Sequence, residues 1–402
     1  MMEPRVILYI DFWGVHDPLT AATVLPGVRL LVGEMGVDRL MLATVERGDG
    51  KVFEADALPP AVEHVPLVAS RLGFRPVDRA LDQLRMAARL VQLVRRRGVH
   101  AILARTSAAG ALAMRVSRAT GVPFAVESFE PHAEYMVDCG EWRRSGPMFL
   151  AFDRLERAQR ERATLLITVS RGYRDELEAM GIPPERLAVA PCPVDPRSFA
   201  FDPAARRAMR ERHGLGDAPV VIYVGKFGGL YHDDLAYRAF AEALIVLGDA
   251  ARLVILTPND APVVRAGMAT AGVASERVTI ARVPHAEVPA YLSAADLAMA
   301  PYRSTRSSAY LSPVKVGEYW ASGLPVALTQ GVGDEDGLIE HDPSLGALFD
   351  PEGAGVRPVM DHIRAIMSRP GHRMRIARTA APFRSIAHTR EAYVRLFDRV
   401  GR

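Results

Sequence analysis

Ser307-Ser-Ala-Tyr-Leu-Ser-Pro-Val-Lys-Val-Gly-Glu-Tyr-Trp-Ala-Ser-Gly-Leu-Pro-Val326 is the stretch from which the architecture of this chain is read. Leu297-Ala-Met-Ala300, just before it, is a short apolar strand, and 301–311 is a polar loop. Ser312 is a good N-cap, and Pro313 suits the first helical position, where its missing N–H costs nothing. The helix runs to Ser322, and Gly323 takes the left-handed conformation that stops it. Residues 324–328 form the next buried strand. Lys315 and Glu318 stand three apart and share a helix face. Free N–H groups, the positive helix end, serine hydroxyls and Lys315 then converge on one place, which makes an anion site. A carboxylate one turn deeper suits a pair of sugar hydroxyls. Phosphate at a helix start with a carboxylate on a ribose is the logic of nucleotide binding in open α/β sheets. The competing reading is a capped helix with a surface Lys–Glu pair.

The rest of the chain fits that unit. Apolar runs near 5–12, 39–45, 64–68, 100–104, 122–127 and 165–169 alternate with helical patterns near 20–35, 78–97, 107–119, 147–163 and 171–180. After the proline-rich break Pro191-Cys-Pro-Val-Asp-Pro196 and a basic helix over 203–213, the pattern restarts with Val220-Val-Ile-Tyr-Val224. Strands near 252–256, 278–280, 296–300, 325–328 and 347–349 follow. Such alternation predicts parallel sheets with helices on both faces, here an α/β chain of two doubly wound domains facing a central cleft. The expected domains are 1–200 and 201–385, with a terminal helix over 386–402.

Composition narrows the class. At 402 residues with 49% hydrophobic and 24% charged residues, the chain reads as an ordinary two-domain globular protein. A net charge of +3 does not argue for nucleic acid. Two cysteines, Cys139 and Cys192, cannot make a disulfide framework, which points to a reducing compartment. The first apolar run is too short for a leader or a membrane span, so a cytoplasmic protein is expected. The helix over 78–97 ends in Arg95-Arg96-Arg97 and Gly98. Cations there offset the macrodipole, and glycine caps the helix. Peripheral contact with the inner membrane face is the functional rival.

Here a resemblance enters. Ser312-Pro-Val-Lys-Val-Gly-Glu-Tyr-Trp-Ala-Ser-Gly-Leu-Pro-Val326 resembles the donor-binding signature of the retaining GT-B glycosyltransferases, broadly family 4, also described as glycosyl transferases group 1. The resemblance implies that Glu318 binds the ribose of a nucleotide sugar, and that Ser312 with the preceding loop holds diphosphate and sugar. The family's usual first Glu of a pair would fall eight positions earlier, where Tyr310 stands. Amides around Ala309 to Leu311 take over that contact in this reading. Val220-Val-Ile-Tyr-Val-Gly-Lys-Phe-Gly-Gly-Leu-Tyr231 resembles the family's first second-domain loop. Gly225, Gly228 and Gly229 allow close backbone approach. Lys226 stands for the family's Arg and Tyr231 for its Lys, so Lys315 is the candidate for the missing diphosphate cation. Val283-Pro-His-Ala-Glu-Val-Pro-Ala-Tyr-Leu-Ser-Ala-Ala-Asp296 is similar to the base-binding segment, which places Arg282, Val283 and Glu287 near the nucleobase. An ordinary strand–helix connection reads equally well there. The terminal helix, by the same resemblance, crosses back to the first domain.

In the first half, Gly14, His16 and Asp17 follow the first strand at its carboxyl end, where open α/β sheets bind ligands. A turn with a solvated His is the alternative. Phe124-Ala-Val-Glu-Ser-Phe-Glu-Pro-His-Ala-Glu-Tyr-Met136 leaves the fifth strand. By resemblance, His132 stands beside the reacting sugar, where a neutral imidazole hydrogen-bonds a hydroxyl or developing charge. Glu130 is a candidate to orient the acceptor. Thr168-Val-Ser-Arg-Gly-Tyr173, with Ser170 as a cap, reads as structural.

The implied reaction is hexosyl transfer from a nucleotide sugar to a sugar, lipid-linked or small-molecule acceptor, in polysaccharide, glycolipid or natural-product glycoside synthesis. Lys226, Lys315 and helix-start amides carry the leaving diphosphate rather than a metal. No Asp-x-Asp or Cys/His metal spacing stands out, and no cofactor is expected beyond the donor itself. Alternatives are a 2-epimerase on the same architecture and a non-catalytic nucleotide-sugar-binding partner of a true transferase. A dinucleotide oxidoreductase is disfavoured, since no Gly-x-Gly-x-x-Gly follows the first strand.

Overall fold

The structure, a computed structural model, describes residues 5–47, 58–69, 75–231 and 233–401, and over 75–80 the helix without its side chains. Among the described residues, seven parallel strands make the first sheet: β1 Val6–Asp11, β2 Arg39–Glu46, β3 Val62–Val68, β4 Ala101–Arg105, β5 Phe124–Phe129, β6 Leu165–Thr168 and β7 Leu187–Val189. Six make the second: β8 Val220–Val224, β9 Arg252–Leu256, β10 Val278–Ala281, β11 Leu297–Ala300, β12 Val326–Thr329 and β13 Gly346–Phe349. Their orders are β3-β2-β1-β4-β5-β6-β7 and β10-β9-β8-β11-β12-β13. β1 is buried along its whole length, as expected of a parallel strand covered on both faces.

Strand order reverses between β1 and β4 in one sheet and between β8 and β11 in the other. Ligands of open α/β sheets bind outside the carboxyl ends at such points. The topology therefore singles out the segments after Asp11 and Arg105, and those after Val224 and Ala300.

The chain forms two compact units, each described here by itself. One holds the described residues within Met1–Ala133, Arg144–Pro191 and Ile386–Arg402, the other those within Glu134–Arg143 and Cys192–Ser385. The division thus falls before Cys192, not at residue 200. Hydrogen bonds explain the shift: Cys192 N–H donates to Ser312 Oγ (3.0 Å) and Val194 N–H to the Arg384 carbonyl (3.0 Å). The terminal helix Ala387–Val400 belongs to the first unit. There Tyr393 donates to Glu127 Oε2 (2.6 Å), and the Arg5 guanidinium lies 4.5 Å from the Phe397 ring centre.

Among the strands and α-helices of the first half of the chain, two escaped the sequence reading. β7 is three residues long, too short to show a period, and the helix His132–Asp138 spans only two turns. The arginines ending the helix Arg75–Arg97 are partly engaged by protein. Arg95 donates to the Ala119 carbonyl (2.9 Å), and Arg97 pairs with Glu63 at 3.2 Å.

The helix Val314–Ala321 ends as its sequence requires. Gly323 has φ +73°, and its N–H meets the Trp320 carbonyl (2.9 Å) while Leu324 N–H meets that of Tyr319 (2.9 Å). This is the two-bond Schellman closure. A Cβ on Gly323 would sit 2.5 Å from the Arg373 carbonyl oxygen, a backbone atom that cannot swing aside. Gly323→Ala is expected to destabilise the second unit by about 2–4 kcal/mol, from left-handed strain plus overpacking. Denaturant unfolding checks this, and a change under about 0.5 kcal/mol contradicts it.

Candidate functional site

At the switch point of the second sheet, β8 runs out of the core into Gly225-Lys-Phe-Gly-Gly-Leu-Tyr231. The loop is pinned from several sides. Phe227 N–H donates to Asn259 Oδ1 (2.9 Å), and the Phe227 ring stacks on Tyr223 with centres 4.8 Å apart. Tyr223 OH donates to the Lys226 carbonyl (2.5 Å). Lone bridges tie Gly228 to Tyr231 and Tyr231 to Tyr302, beside β11.

Lys315, in the first turn of Val314–Ala321, reaches into this loop. Its Nζ lies 4.1 Å from the Tyr231 ring centre, 4.5 Å from Tyr223 and 5.3 Å from Tyr302, an aromatic cage for a cation. Lys226 Nζ stands 5.9 Å from the same Tyr231 ring. Both lysines named from sequence are therefore gathered around Tyr231, the residue that, by the resemblance, stands in place of a Lys. Burial pulls the Lys315 ammonium down to about 7, Glu318 opposes that shift and the charge of Lys226 adds to it. Close approach is possible because Gly225 has no side chain: at φ +144°, a Cβ there would lie 2.5 Å from Lys315 Nζ.

Glu318, one turn on, is 5% exposed. His285 Nε2 lies 2.8 Å from its Oε1. That hydrogen bond raises the imidazole pKa, with burial opposing. The sequence reading named Arg282, Val283 and Glu287 in this segment and passed over His285. Arg282 and Glu287 are exposed and Val283 half-buried, so none shares His285's polar contact with Glu318. The signal was a polar ring directly after Pro284, at the start of the turn His285–Glu287, and nothing local says where it points.

Ser312 requires a correction. The helix begins at Val314 with Pro313 in the capping position, and no side chain caps it. The Ser312 hydroxyl instead accepts from Cys192 N–H (3.0 Å) and from the Arg384 guanidinium. It ties the start of the helix to the distant Cys192 backbone and to Arg384. Tyr310 closes the short turn Ser308–Tyr310, and Leu311 is half-buried beside it. Ser308 Oγ donates to the Gly331 carbonyl (2.8 Å), which fixes the turn against the loop after β12.

In the first unit, the segment after β1 is held by buried carboxylates. Asp11 accepts from Thr20 Oγ1 (2.7 Å), and burial lifts its pKa to about 6. Gly14 faces Glu46, whose Oε1 accepts from Val15 N–H (3.0 Å), and a Cβ on Gly14 would lie 2.5 Å from Glu46 Oε2. His16 is exposed. Asp17 accepts from Leu19 N–H (2.8 Å), a turn bond. Beyond β5, burial pushes Glu130 up to about 7 and His132 down to about 4. The His132 ring lies 5.2 Å from Phe152, so a neutral imidazole is the stable form there. Two residues near these strand ends carry left-handed backbone without being glycine: Thr106 (φ +70°), after β4, and Ser128 (φ +50°), inside β5. The sequence reading also missed the cluster around Glu127, which takes Arg105 at 3.0 Å and the hydroxyls of Tyr9 and Tyr393. Its partners lie on β1, β4 and the terminal helix, so only folding brings them together.

Two family descriptions match consecutive parts of the chain. The glycosyl transferase 4-like domain covers residues 23–193, and glycosyl transferases group 1 covers 218–368. The chain belongs to the group 1, family 4-like glycosyltransferases. Its fold is that of the GT-B members. The HepE protein of Anabaena, solved with UDP and glucose, superposes with a TM-score of 0.72 at 16% identity, covering 98% of this chain and 99% of that one. The sucrose-phosphate synthase of Thermosynechococcus elongatus gives 0.71 at 15%, covering 98% and 99%. Among curated proteins, the GDP-mannose-dependent alpha-(1-6)-phosphatidylinositol monomannoside mannosyltransferase of Mycolicibacterium smegmatis is 26% identical over 210 residues. That match spans 52% of this glycosyltransferase-family chain and about half the curated relative's length, 54%.

Proposed function

We propose that this chain transfers a hexosyl group from a nucleoside-diphosphate sugar to a hydroxyl-bearing acceptor, with retention of configuration. The observation that carries the reading is the pairing of Lys315 and Glu318 one turn apart, with Lys226 brought to the same tyrosine ring. Two ammonium groups suit a diphosphate, and a buried carboxylate beyond them suits a ribose diol. Group 1 membership and the GT-B fold support the same reading.

In the reaction, the bond from the anomeric carbon to the diphosphate oxygen breaks and a bond to the acceptor oxygen forms on the same face. The acceptor's proton passes to the departing phosphate oxygen, so no protein base is needed. Lys226, Lys315 and the first N–H groups of Val314–Ala321 stabilise charge on the leaving diphosphate. His132, held neutral by burial, hydrogen-bonds without adding charge. Glu130 orients the acceptor on the first unit. Donor positioning falls to Gly225, Gly228, Gly229, Arg282 and Val283 with the turn through Tyr310 and Leu311. The curated relative's name, which mentions phosphatidylinositol monomannoside, supports a glycolipid acceptor, and a glycolipid is met at a membrane surface. No helix among the described residues is long and apolar enough to cross a membrane.

A thermal-shift panel of UDP, GDP, ADP and dTDP tests the reading. One diphosphate is expected to stabilise the protein, and Glu318→Ala is expected to weaken it by about 10- to 100-fold, the worth of lost hydrogen bonds to a charged group. Stabilisation by none of the four would overturn the transferase reading.

A further inference from the structure

We propose that His285 is the positioning residue for Glu318: it holds one carboxylate oxygen and so presents the other to the nucleotide's ribose. The inference rests on the nucleotide-sugar reading above and deepens it. His285 Nε2 stands 2.8 Å from Glu318 Oε1, and among the described residues it is the one side chain hydrogen-bonded to that carboxylate. A carboxylate only accepts, so Nε2 is the donor. The imidazole is itself held. Phe199 packs against it with ring centres 5.5 Å apart, and the Phe199 carbonyl accepts from Ser322 Oγ (2.7 Å), at the end of the helix that carries Glu318. Pro284 before it and the turn His285–Glu287 fix its backbone. The side chain is 41% exposed against 6% for Glu318. It therefore lies on the solvent side of the carboxylate, where a ligand would approach.

A glutamate has three side-chain torsions to order when it grips a diol. A hydrogen bond made beforehand removes part of that loss and selects the rotamer. It also leaves Oε2 as the oxygen with unspent lone pairs. The contact spans 33 residues of sequence, from the turn after β10 to the helix after the β11 loop. Geometry at Glu318 therefore depends on a segment that does not adjoin it in the chain.

Discrimination between ribose and deoxyribose is the direct readout, because only a well-placed Glu318 can use the 2′-hydroxyl. The experiment measures dissociation constants of UDP, GDP, ADP and dTDP, each in its ribo and 2′-deoxy form, for wild type, His285→Ala and His285→Gln, with ligand-free melting temperatures as the control. For the diphosphate that binds, wild type is expected to prefer the ribo form by about tenfold or more. His285→Ala is expected to lose about three- to tenfold in affinity for the ribo form and to narrow the preference to about threefold. His285→Gln keeps an N–H donor and is expected to retain most of the preference. A ribo-to-deoxy ratio unchanged in His285→Ala overturns the proposal while leaving the nucleotide reading intact. Absence of binding by wild type to any of the nucleotides overturns both.

Discussion

Lys315→Met is expected to lower kcat/KM for the nucleotide-sugar donor by about 10²- to 10³-fold, the effect of removing one preorganised charge-stabilising group from a leaving-group site. Methionine keeps most of the length and the apolar stem inside the ring of Tyr223, Tyr231 and Tyr302, so the loss reports charge rather than packing. The same residue sets a pH dependence. Burial holds its pKa near about 7, so the free protein carries a partly neutral Lys315 at neutral pH. A bound diphosphate favours the ammonium and draws a proton in with it. Affinity for the nucleoside diphosphate therefore rises as pH falls toward about 7 and this contribution levels off below it, and the component disappears in Lys315→Met. Stability responds with the opposite slope. Between about 7 and the ordinary lysine value the unfolded chain binds the extra proton, so this group's contribution makes the fold more stable as pH rises across that window. Calorimetric titration of the diphosphate at a series of pH values, on both proteins, checks the sign. An identical pH profile in wild type and variant would refute it.

Arg384→Met is expected to cost the second unit about 3–5 kcal/mol, which corresponds to a fall in melting temperature of roughly 6–20 °C. The guanidinium is 3% exposed and pairs with Glu335, which is 1% exposed. It also donates to the carbonyls of Cys192 (3.2 Å) and Pro313 (3.0 Å) and to the Ser312 hydroxyl. Removing it strands a buried carboxylate and leaves two carbonyls and a hydroxyl short of a donor. Glu335→Leu added to Arg384→Met removes the stranded charge and is expected to return part of the loss, since an apolar pair replaces a buried ion pair at little cost. Differential scanning calorimetry of the single and double variants decides this, and a double variant less stable than Arg384→Met contradicts it. Ser312 and Pro313 lead into the helix of Lys315 and Glu318, so the single variant should also weaken nucleotide binding.

Much of the fold is legible along the chain. The runs that become β1, β8 and β11 are apolar without interruption, as strands buried on both faces must be. Gly323 announces the end of its helix because only a residue without Cβ fits the left-handed closure against Arg373. The Ser312–Pro313 start was read one position too early. A capping serine and a serine that binds a distant arginine look alike until the arginine is in place.

The candidate site divides along the same line. Lys315 and Glu318 could be paired from their three-residue spacing, since the helical repeat places them on one face. The aromatic cage around Lys315 could not. Its rings come from β8, from the loop beyond it and from the end of β11, separated by up to 92 residues from the lysine they surround. Glu127 meets Tyr9 across 118 residues and Tyr393 across 266.

The sequence by itself determined the strand and helix alternation, the two parallel sheets, the helix that carries the anion-binding groups and the family. Each is written in neighbouring residues, through apolar periodicity, capping and turn chemistry. Only the tertiary structure decided which groups are buried together. That choice pulls Lys315 toward neutrality, keeps His132 uncharged and sets His285 against Glu318. It does so because parallel crossovers bring remote strand ends side by side, and burial and charge act through space rather than along the chain.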